Sequence, residues 1–114
     1  MEIEVGDYVR TRAGHFYKIT RIDENGLIYW NKIQCGWSME QLKDIVVKHS
    51  KNIIDLIEVG DIVHIKDVLH EDIVHIWSQE YLEALKEDIN NGIKLVEILT
   101  KEQYKQNCYK IDTN

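Results

Sequence analysis

The chain has 114 residues, a formal net charge of −6, 44% hydrophobic and 30% charged residues, no proline and two cysteines. That apolar fraction supports a packed interior and excludes a disordered chain, and no window is long and apolar enough to span a membrane. The acidic balance argues against a general nucleic-acid binder, which carries a basic patch.

Met1–Asp7 has no basic region and no apolar run, so no secretory signal is expected there. Cys35 and Cys108 are too few for a disulfide framework, and the expected compartment is the reducing cytoplasm. Ile3, Val5 and Tyr8–Arg12 read as a strand around the turn Val5-Gly6-Asp7. Phe16–Ile22 and Leu27–Ile33 alternate with period two and are rich in β-branched and aromatic residues, which is the strand signature. Asn25-Gly26 between them predicts a tight hairpin turn. Ser38 followed three positions on by Gln41 is a capping box that should start about one helical turn. Asp44–His49 then reads as strand again. Three strands, a helical turn and a last strand predict a small barrel of the Src-homology-3-like kind.

An internal repeat organises the rest. Glu4-Val5-Gly6-Asp7-Tyr8-Val9 returns as Glu58-Val59-Gly60-Asp61-Ile62-Val63, and Ser38–Lys43 returns as Thr100–Lys105. The expected fold is mainly β with one inserted helix: two tandem Src-homology-3-like barrel units packed together. The units are residues 1–50 and 58–114. The apolar connector 51–57 should pack between them and fix their angle. Ser78 as N-cap and Leu82, Leu85 and Ile89 at helical spacing place the inserted helix at about 79–90, with Gly92 as its stop. Ile93–Leu99 and Cys108–Ile111 are the strands that follow.

Residues 1–57 carry eight basic and eight acidic residues, whereas residues 58–114 carry six and twelve. The whole imbalance therefore lies in the second half. Glu80, Glu83 and Glu87 share a helical face with Asp88 beside them, which predicts an acidic docking surface for a basic or nucleic-acid-handling protein. The competing reading is a solvated face that aids solubility. A second candidate site is Arg10, Arg12, Lys18, Trp30 and Trp37, where cations and rings could grip single-stranded nucleic acid or a nucleotide. The competing reading there is that the rings form a core. A third is a zinc site of His64, His70 and His75, with Cys35 or Cys108 as a distant fourth ligand. No nucleophile elbow, P-loop or dinucleotide fingerprint occurs, and the expected protein is not an enzyme and has no resident cofactor.

Asp44–Ser50, the run Asn52–Asp61 and Ile98–Tyr104 resemble a group of small phage and prophage proteins of low-GC Gram-positive bacteria. The likeness covers about residues 44–63 and 98–111. His64-Ile65 stands where that group has Asn-Gly, and Tyr104 where it has Phe. The resemblance implies an origin in a mobile element. Small acidic accessory proteins of such elements include inhibitors of host defence, anti-CRISPR proteins among them. The implied partner is a bacterial host protein.

Overall fold

A computed structural model describes residues 2–30 and 36–107. The chain divides into two compact units, Met1–Leu56 and Ile57–Asn114. The described residues are mostly β, with two antiparallel sheets of four and three strands and three α-helices among them.

In the first unit, strands β1 (Tyr8–Thr11), β2 (Phe16–Ile22) and β3 (Ile28–Trp30) form a meander. Helix α1 (Met39–Ile45) follows, then β4 (Val46–Ser50) returns to pair with β1, giving the order β3-β2-β1-β4. A 3-10 turn at Ile53–Leu56 closes the unit. Alternation buries Val9, Ile19, Ile28 and Trp30 on one sheet face, where Ile3, Leu42 and Val46 complete the core. β3 and β4 are the two edges, so no pairing among the described residues closes this sheet into a barrel.

Two local expectations change. The Asn25-Gly26 turn is wider than a two-residue hairpin: Gly26, at φ +81°, donates to the Asp23 carbonyl, and Asp23 donates to Leu27. The Asp23 carboxylate accepts the Asn25 and Leu27 N–H groups at 2.9 Å each, which stitches the loop from inside. Helix α1 runs seven residues, not one turn, and β4 begins at Val46 rather than Asp44. Met39, Leu42 and Ile45 repeat every third position and all turn toward the core, so helical spacing wins over the β-branched run that follows. The capping box itself forms, with Gln41 N–H donating to Ser38 Oγ at 3.1 Å and Ser38 N–H to Gln41 Oε1 at 3.0 Å.

In the second unit, β5 (Ile62–Lys66) and β6 (Glu71–His75) form a hairpin, helix α2 (Gln79–Asn90) follows, and β7 (Lys94–Leu99) pairs with the far side of β5. Helix α3 (Lys101–Asn107) ends the described chain. Leu82 and Leu85 of α2 pack on Ile57, Val63 and Ile76, with Val59, Val74, Leu95 and Ile98 around them. The strand expected at Cys108–Ile111 lies outside the described residues, as do positions 31–33 of the third strand.

The Val-Gly-Asp repeat is structural, bond for bond. Gly6 and Gly60 take φ +93° and +102°, a region that favours glycine. Glu4 N–H donates to Asp7 Oδ2 at 3.0 Å, and Glu58 N–H to Asp61 Oδ2 at 2.8 Å. Gly6 N–H donates to Ile19 O as Gly60 N–H does to Ile76 O, and each hairpin partner donates back to the aspartate carbonyl. A lysine closes each turn: Lys51 Nζ lies 3.0 Å from Asp7 and 3.2 Å from Glu4, and Lys101 Nζ lies 2.8 Å from Glu58.

The second sequence match does not superpose. Thr100 caps a helix that follows β7, the strand paired with β5, whereas Ser38 caps the helix that precedes β4, the strand paired with β1. The helix standing before β7 is α2, capped by Ser78. It occupies the place that β3 and α1 hold in the first unit, so it is a replacement rather than an insertion.

The first turn makes stability depend on pH. Burial is the largest single influence on Asp7 and pushes its carboxyl up, but the Glu4 N–H, Lys51 and His49 together outweigh it and hold the carboxyl below its ordinary value of 3.8. A depressed folded-state value contributes stability above the unfolded value that is lost as pH falls below it. Wild-type protein should therefore lose more stability between pH 5 and pH 3 than Asp7→Asn does, read as urea midpoints. Equal losses would remove Asp7 from that role.

Candidate functional site

The second unit carries the acidic surface. Ser78 Oγ accepts the Tyr81 N–H at 3.1 Å and starts α2. Leu82 and Leu85 fix the buried face, so Glu80, Glu83, Glu87 and Asp88 turn to solvent, all four exposed. Glu83 accepts from Gln79 Nε2 at 2.8 Å; among the described residues no lysine or arginine forms an ion pair with any of the four. The last turn of α2 has no basic residue. Glu87 and Asp88 thus sit against the negative end of the helix dipole, where acids are unfavourable by a few tenths of a kcal/mol to about 1 kcal/mol each. Their placement does not serve helix stability.

The basic and aromatic set of the first unit is not brought together on the surface. Arg10 is fully buried, its Nη1 donating to the Leu56 carbonyl at 2.9 Å and its guanidinium 5.4 Å from the Phe16 ring. The 3-10 turn at Ile53–Leu56 covers the face of β1 opposite the core, which is why both Val9 and Arg10 are enclosed. Trp30 is also buried, stacked on Tyr17 at 4.9 Å and against the tilted ring of Trp37 at 5.2 Å. Only Arg12 and Lys18 of the set are exposed, and Lys18 lies over Tyr8 of its own sheet.

The three histidines do not converge. The β5–β6 register sets His64 opposite Ile73 and His75 opposite Ile62, so His64 and His75 share a face diagonally, with exposed His70 in the hairpin turn. His64 Nε2 lies 2.5 Å from Glu71 and its Nδ1 3.5 Å from Glu97, so both ring nitrogens already face carboxylates of neighbouring strands. Among the described residues no group of three His, Cys, Asp or Glu is arranged to hold a metal ion. Cys35 and Cys108 lie outside them.

The sequence reading missed the apolar residues on this histidine face and around its hairpin. Leu69 (83% exposed), Ile73 (77%) and Trp77 (71%) stand in solvent, and Ile62 and Leu99 line a shallow hollow beside Ile73. The alternation of Val74 and Ile76 placed Ile73 on the opposite face; that parity was the available signal.

Comparison with protein-family models, with curated proteins and with solved structures gives no match to this chain.

Proposed function

We propose that this chain is a non-catalytic phage or prophage accessory protein that binds and inhibits a bacterial host protein. The contact surface is the face of α2 that carries Glu80, Glu83, Glu87 and Asp88. The partner is basic, as a nucleic-acid-handling defence protein of the bacterial cytoplasm would be. One observation carries this reading: four exposed carboxylates with no described cation, two of them where the helix dipole disfavours them. Clustered charge of this kind steers encounter with a positive partner.

The return of β4 to β1 after a helix supports a Src-homology-3-like fold for the first unit. Burial of Arg10 and Trp30 weighs against the nucleic-acid reading, which would need both at the surface. No helix among the described residues is long and apolar enough to cross a membrane.

The test is capture from a low-GC Gram-positive lysate on immobilised protein. The expected result is one host protein retained in near-stoichiometric amount and released by salt. Retention of none, or only of proteins that a salt wash leaves in place, contradicts the reading.

A further inference from the structure

We propose that two copies of this chain associate through β6, antiparallel about a two-fold axis at Ile73, joining their three-stranded sheets into one of six. The backbone comes first. Asp67 N–H donates to the His70 carbonyl, and Ile76 N–H to the Asp61 carbonyl. In an antiparallel ladder hydrogen-bonded and non-bonded pairs alternate. The two bonded ends therefore make Lys66/Glu71, His64/Ile73 and Ile62/His75 the non-bonded pairs. Glu71, Ile73 and His75 accordingly point their N–H and C=O groups away from β5, along an edge that no described strand pairs. An unpaired edge is a template for another strand.

The sequence of that edge says which strand. Read outward from Ile73, the strand is self-complementary. Glu71 and His75 lie two positions to either side and are the ends of β6. With the axis at Ile73, each Ile73 meets its counterpart and each Glu71 meets the partner's His75. Every outward-pointing residue then faces another outward-pointing residue, so the three pairs can exchange backbone hydrogen bonds. Glu71 gives one carboxylate oxygen to His64 and has a second to offer. Ile73, at the axis, is 77% exposed. An isologous contact of this kind closes on itself and gives a dimer, not a filament.

This inference does not rest on the acidic face. Leu82 and Leu85 of α2 pack on the sheet face that carries Val63, opposite the face of Ile73, so the dimer leaves all four carboxylates in solvent. Reversing those four charges should leave the dimer intact.

Sedimentation equilibrium of the full chain, between about 10 μM and 1 mM, is the test, since a contact of one strand pair belongs to the weak class. Wild type should pass from monomer to dimer across that range. Ile73→Lys sets two cations against each other at the axis and should raise the dissociation constant at least about tenfold, with the circular dichroism and melting of the monomer unchanged. Should that variant fold poorly, mixing decides. Glu71→Lys and His75→Glu should each associate more weakly than wild type. Mixed in equal amounts they should recover wild-type association, because the introduced lysine then faces the introduced glutamate and the unchanged Glu71 faces the unchanged His75. Wild type that stays monomeric at 1 mM, an Ile73→Lys variant that folds and dimerises as wild type does, or a mixture no better than its components, overturns the proposal. A monomer that instead binds an extended peptide along β6 would count among the overturning results.

Discussion

Replacing Asp61 by alanine should destabilise the protein by about 3 kcal/mol. Asp61 is fully buried and its carboxylate holds two backbone donors from distant segments. Oδ2 accepts the Glu58 N–H at 2.8 Å, and Oδ1 accepts the Lys101 N–H at 3.0 Å across 40 positions of sequence. Alanine leaves both donors without an acceptor in a site that water reaches poorly. The second bond matters beyond its own strength. Helix α3 buries no residue, and its first turn is tied to the unit by the Asp61 bond at Lys101 and by the Lys101–Glu58 ion pair. The same variant should therefore fray α3. Asp61→Asn keeps one acceptor and should lose about half as much. Urea midpoints give the total and amide exchange of residues 101–107 gives the fraying. A loss below about 1 kcal/mol for the alanine variant would mean that Asp61 is not the clasp of this turn.

Reversing Glu87 and Asp88 should move stability and binding in opposite directions. Lysines in the last turn of α2 would complement the helix dipole where acids now oppose it, and the pair should raise stability by about 1 kcal/mol. The same pair removes half of the four-carboxylate surface. Affinity for the captured host protein should fall by about a hundredfold or more, mostly through slower association. If the acids only solubilise the unit, the substitution stabilises the fold and leaves binding untouched. Melting temperature and surface-based binding kinetics of one preparation separate the two.

The period-two stretch at Phe16–Ile22 was legible because alternation reports a sheet with one covered face. The Glu-Val-Gly-Asp turns were legible because glycine and aspartate perform local tasks: a positive φ, and an acceptor for the N–H three residues back. Helix α2 was legible from its cap and its leucine spacing. What failed was non-local. Arg10 looked like a surface cation, and nothing near it in the chain announces that Leu56, 46 positions away, supplies its acceptor. The Thr100 box looked like a second copy of the Ser38 box, since capping chemistry is the same at any helix start and carries no topology. The end of α1 was misplaced because Ile45 completes a helical stripe while also opening an apolar run that suits a strand.

The acidic face of α2 as the docking surface is the claim on which the functional account turns. It is tested most directly by the association rate of the captured host protein, measured over a range of salt for wild type and for Glu80→Lys/Glu83→Lys/Glu87→Lys/Asp88→Lys. The wild-type rate should fall steeply as salt rises, and the variant should associate more slowly with a flat salt dependence. Equal rates with equal salt slopes would contradict it.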